Sequence, residues 1–87
     1  MMSDKFVKEV VRIIEETTKD EGVTVEYKQR KGEDFEVTLT YKNFEDSSHV
    51  PHDDWVRYDI EASSLAKTLI MRFFYFYFEQ KIKLIKL

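Results

Sequence analysis

Residues 23–42 read VTVEYKQRKGEDFEVTLTYK, and the fold turns on this stretch. Val23, Val25 and Tyr27 alternate with Thr24, Glu26 and Lys28; Phe35, Val37, Leu39 and Tyr41 alternate with Glu36, Thr38, Thr40 and Lys42. A period of two puts each apolar set on one side of an extended chain. Lys31-Gly32-Glu33-Asp34 supplies the turn between the two runs. The stretch therefore predicts a β-hairpin with one buried face.

Upstream of it the period is helical. Phe6, Val7, Val10, Val11, Ile13, Ile14 and Thr17 form an apolar stripe through residues 4–20. Ser3 suits the N-cap, Asp4 suits the positive end of the helix dipole, and Gly22 is a natural C-terminal stop. Downstream, Val56, Tyr58, Ile60 and Ala62 alternate with Arg57, Asp59 and Glu61, which predicts a third strand. Ser63 or Ser64 then caps a second helix. Its polar positions Thr68, Arg72, Tyr75, Glu79, Lys83 and Lys86 stay in one helical stripe to the C-terminus, although aromatic content makes residues 73–87 readable as a strand. The helical reading is preferred. The expected architecture is a single α+β domain over residues 1–87, ordered helix, three antiparallel strands, helix (αβββα), with both helices on one face of the sheet.

The 87 residues are 43% hydrophobic and 36% charged, a globular balance. No cysteine is present, which excludes disulfides and thiolate catalysis and leaves only His and carboxylate for zinc. The start MMSDKFVKEVV lacks an apolar core, so no signal peptide is expected. The most apolar run, Leu69 to Phe78, is interrupted by Arg72 and falls far short of the ~20 residues of a membrane span. A soluble cytoplasmic protein is expected, in the host cytoplasm if the source is viral. The net charge of -3 is split: residues 1–61 hold sixteen acids against nine bases, and residues 62–87 hold one acid, Glu79, against five bases. Such a molecule is polarised, with a face that repels nucleic acid.

Residues 49–55, HVPHDDW, collect both histidines and the only tryptophan and proline. His49 and His52 have metal-ligand spacing, with Asp53 and Asp54 beside them. A working HxxH pair needs a helix to align its imidazoles, and Pro51 biases Val50 towards extended backbone instead. Glu45, Asp46 and Asp59 are the nearby third-ligand candidates. The competing reading is a solvated loop, in which Ser47 and Ser48 also fall, so a Ser-His-Asp set is writable without triad geometry. No cofactor and no catalytic residue are expected, and the chain reads as a non-enzyme. Lys28, Arg30 and Lys31 form a basic hairpin tip, but Glu33, Asp34 and Glu36 follow at once and cancel much of its field.

Residues 45–61 hold six acids, Glu45, Asp46, Asp53, Asp54, Asp59 and Glu61, against one base, Arg57. In the predicted strand register Trp55 shares the outward side with Arg57, Asp59 and Glu61. A large ring on an acidic face points to a protein-binding surface. The second helix is apolar around most of its circumference, and self-association through Phe73, Phe74, Tyr77 and Phe78 is expected, giving a homodimer, with core packing alone as the competing reading because Phe and Tyr also fill small cores.

The element order resembles that of double-stranded-RNA-binding domains, and Ala62-Ser63-Ser64-Leu65-Ala66-Lys67 is similar to the start of their second helix. The phosphate-gripping lysines are reduced to Lys67 and the preceding glycines are missing, so the resemblance implies topology and not function. In size, charge and element order the chain also resembles small acidic domains encoded by phages and other viruses, including inhibitors of CRISPR nucleases. That resemblance implies a regulator or inhibitor, nucleic-acid-mimicking in charge, that binds a basic site on a nucleic-acid-handling protein and not nucleic acid itself. The alternatives are a nucleic-acid-binding domain using the hairpin tip and the last helix, a metal or hydrolase site at HVPHDD, and a peripheral membrane role for the last helix.

Overall fold

The computed structural model describes residues 2–32, 34–51 and 61–85. Helix α1 (Met2–Thr18) passes through a short 3-10 turn (Lys19–Glu21) into strands β1 (Thr24–Gln29), β2 (Phe35–Tyr41) and β3 (Phe44–Val50), and helix α2 (Ala62–Ile85) follows. The sheet is antiparallel in the order β1-β2-β3. The αβββα order and the α+β class are those expected from the sequence.

Helix α1 ends as its residues dictate. Gly22 adopts a left-handed φ of 78°, which costs a residue without Cβ little. The buried line of α1 is Val7, Val10, Val11, Ile14 and Thr18. Thr18 rather than Thr17 completes it, because the Thr18 hydroxyl donates to the Ile14 carbonyl at 2.7 Å and so satisfies itself inside the core.

The predicted hairpin is present, with Val25 opposite Leu39 and Tyr27 opposite Val37. At its tip the Arg30 N–H donates to the Asp34 carbonyl at 2.8 Å, and the Gln29 amide nitrogen donates to the carbonyls of Gly32 and Asp34. Among the described residues the third strand is 44–50, a stretch not read as a strand from the sequence. Residues 44–50 pair with β2, Phe35 facing Val50 and Tyr41 facing Phe44, where the sequence suggests a loop. Of the run 56–62 only Glu61 and Ala62 are described, and Ala62 is the first residue of α2 rather than the last of a strand. The β2–β3 turn consists of Lys42-Asn43 alone, with Lys42 at a φ of 56°.

Both helices cover the same face of the sheet. Phe6 of α1 meets Phe35 edge-on, while α2 lays Phe73 against Phe44 at 5.4 Å between ring centroids and Tyr77 against Tyr41 at 5.0 Å. Between these layers Phe35, Val37, Leu39, Ile14, Val7, Val10 and Phe73 are fully enclosed. Aromatic edge-to-face packing adds roughly 0.5–1.5 kcal/mol per pair beyond the area buried. Helix α2 remains helical to Ile85, so the strand reading of its aromatic half is excluded over the described residues. From Gln80 to Ile85 every side chain is exposed.

Candidate interaction surfaces

The sheet has an uncovered side. Thr24, Glu26, Lys28, Glu36, Thr38, Thr40, Glu45, Ser47 and His49 point away from the helices, as the strand register requires. Glu26 stands beside Thr38, Lys28 beside Glu36, and Glu36 beside His49 across the strands. The Thr38 and Ser47 hydroxyls are 2.7 Å apart and His49 Nε2 lies 3.3 Å from Asp34 Oδ2. Three glutamates against Lys28, and Arg30 reaching Glu36 from the hairpin tip, leave this surface weakly acidic.

Of the acidic residues expected to face a partner, Glu45 is exposed on this outer surface and Glu61 is exposed just before α2. Asp46 is half-buried, in register with core residue Leu39, and lines a groove with Phe44, Arg72 and Lys83. Asp53, Asp54, Trp55, Arg57 and Asp59 lie outside the described residues. So does His52, while His49 sits on a strand and not in a loop. Ser47 and Ser48 are strand residues too, and alternation separates them: Ser47 is outside, Ser48 in the core facing Val37. Among the described residues no three His, Asp or Glu side chains come together as a metal site. At the hairpin tip Arg30 Nη2 is 3.5 Å from Glu36 Oε2, so part of the basic cluster is already engaged by an acid.

Helix α2 divides the residues expected for self-association. Phe73 and Tyr77 belong to the core, Phe74 is half-buried against Tyr41, and Phe78 alone is exposed. The ring surface of Phe73 and Tyr77 is consumed inside the molecule, which removes them from any partner's reach. What α2 offers outward is a different line, Met71, Tyr75, Phe78, Ile82 and Ile85, each 55–79% exposed. Their steps of 4, 3, 4 and 3 are visible in the sequence. Tyr75 belongs to this line as well as to the polar stripe, since a tyrosine ring is mostly apolar surface.

No family model, curated protein or solved structure matches this chain. The fold places it as a small α+β domain, three antiparallel strands backed on one side by two helices. Among the described residues no helix is long and apolar enough to cross a membrane.

Proposed function

We propose that the protein is a non-enzymatic interaction module acting in the cytoplasm, most concretely a small acidic regulator or inhibitor that occupies a basic, nucleic-acid-binding site on a protein partner. The observation that carries this reading is the bare outer side of the sheet, where Glu26, Glu36 and Glu45 stand against Lys28 and neither helix intervenes. The sheet fixes the spacing of these residues, so their charges act together on a cationic partner. Residues 45–61 extend the acidic character, with Trp55 and Arg57 as contact groups.

The test is affinity capture from the native host with mass-spectrometric identification, run beside a variant carrying Glu26→Gln, Glu36→Gln, Glu45→Gln and Glu61→Gln. A basic partner held by the native chain, and lost both to the variant and in moderate salt, supports the proposal. Equal capture by the two proteins overturns it. Fluorescence anisotropy with duplex DNA addresses the nucleic-acid-binding alternative at Lys28, Arg30 and Lys31. Salt-dependent DNA binding by the native chain would replace the proposal with that alternative.

A further inference from the structure

We infer that the outward line of α2 is the seam of an antiparallel homodimer, in which Arg72 of each copy faces Glu79 of the other. This inference stands on α2 alone and is independent of the acidic sheet face.

Met71, Tyr75, Phe78, Ile82 and Ile85 repeat every 3.5 residues, the spacing of a helix–helix seam rather than of a broad globular face. In heptad terms Tyr75 and Ile82 occupy a, and Met71, Phe78 and Ile85 occupy d. The line runs about 21 Å along the helix at 1.5 Å per residue. Its five side chains leave on the order of 500 Å² of apolar surface uncovered per copy, or ~1,000 Å² for a pair, about what a specific interface needs.

The last turns of α2 supply a second reason. From Gln80 to Ile85 all side chains are exposed, yet Ile82, Leu84 and Ile85 are large and apolar. Final helical turns that bury no side chain are marginal in water. A partner helix lying alongside would cover this end and hold it helical.

The flanking charges choose the direction. Arg72 and Glu79 occupy e, one heptad apart, and Lys67 and Lys81 occupy g. A parallel pair sets g against the following e of its partner, which juxtaposes Lys67 with the partner's Arg72. An antiparallel pair sets e against e, so that Arg72 meets the partner's Glu79 and, by the two-fold symmetry, Glu79 meets the partner's Arg72. With the dyad between positions 76 and 77, Tyr75 packs on the partner's Phe78 and Met71 on the partner's Ile82. Among the described residues Glu79 pairs with Lys83 alone, at 3.9 Å, and Arg72 lies over the Phe76 ring, so both are at hand for re-pairing. The acid in the flank, together with the narrowness of the seam, favours a second copy over an anionic bilayer as occupant.

Size-exclusion chromatography with light scattering over a range of concentrations tests the inference directly. The expected mass is twice the 10.5 kDa of the chain, falling to a single chain with Phe78→Asp. Arg72→Glu and Glu79→Arg should each weaken the dimer by about tenfold, a loss of roughly 1.4 kcal/mol, and the double reversal should restore it. Both charge sites are on the surface, so circular dichroism of the variants should match the native spectrum. A monomer at every concentration overturns the inference, as does a dimer indifferent to Phe78→Asp. Failure of the double reversal to restore a dimer that the single reversals weaken overturns the antiparallel arrangement. Co-sedimentation of the monomer with anionic vesicles, without dimerisation, would assign the seam to a membrane surface instead.

Discussion

Phe73 and Phe78 lie five residues apart on α2, about 140° around the helix at 100° per residue, and the first is 1% exposed where the second is 55%. One helix thus spends its aromatic content in two directions, inward on the β2–β3 hairpin and outward where, among the described residues, Phe78 has ring neighbours only on its own helix, Phe74 and Tyr77. Phe73→Ala removes a ring that contacts Phe44 and Phe74 in the core and should cost about 3–5 kcal/mol. Phe78→Ser should change the stability of the isolated chain by only about 0.5 kcal/mol. Urea denaturation at high dilution, where a dimer contributes nothing, measures both.

Lys42 is in a conformation that suits glycine. Its φ of 56° opens the two-residue turn between Tyr41 and Phe44, and a side chain there is strained. Lys42→Gly should raise stability by up to about 1 kcal/mol, with glycine's extra freedom in the unfolded chain offsetting part of the relief. A lowered urea midpoint for this variant would contradict the turn geometry.

At the end of α1 the reverse applies. Nothing lies within 4 Å of a Cβ built on Gly22, so a substitution there meets no clash and reports backbone strain alone. Gly22→Ala should cost about 1–2 kcal/mol, and Gly22→Asn less, because asparagine tolerates the left-handed region. Thermal unfolding followed by circular dichroism would rank the three residues.

Glu9 and Arg12 give a pH signature. The Arg12 guanidinium donates twice to the Glu9 carboxylate, at 2.8 and 2.9 Å, and holds that carboxyl below the ordinary glutamate range. A carboxyl lowered in the folded state adds stability above its unfolded value, and that stability is lost as pH falls through the folded one. Both side chains are about half exposed on the surface of α1, so the effect on stability is small and salt-sensitive. NMR titration should show the Glu9 midpoint rise in Arg12→Gln; an unmoved midpoint would mean that the bidentate contact does not persist in solution.

The two helices, the first hairpin and the α+β order were legible in the residues because each rests on a local period. The 3.6-residue stripe of α1 and the strict alternation of 23–28 and 35–42 need no knowledge of the partner element. Strand β3 was not legible. Its inward positions are Phe44, Asp46, Ser48 and Val50, two of them polar, so no hydrophobic alternation announces it. Its turn, Lys42-Asn43, lacks the glycine that usually marks a two-residue hairpin. The edge of β2 recruits these residues by hydrogen bonding, a long-range reward that a local pattern does not contain.

The candidate surfaces divide in the same way. The sequence alone determined that residues 1–61 are acidic, that α2 carries more apolar surface than one small sheet and one helix can cover, and that its outer residues step by 4 and 3. Only the tertiary structure decided which aromatics are used up. Phe73 and Tyr77 are buried because Phe44 and Tyr41 of the β2–β3 hairpin lie opposite them, and that hairpin exists only once β3 has paired with β2. Packing of the first partner found inside the chain thereby fixes which side of the helix is left for a partner outside it.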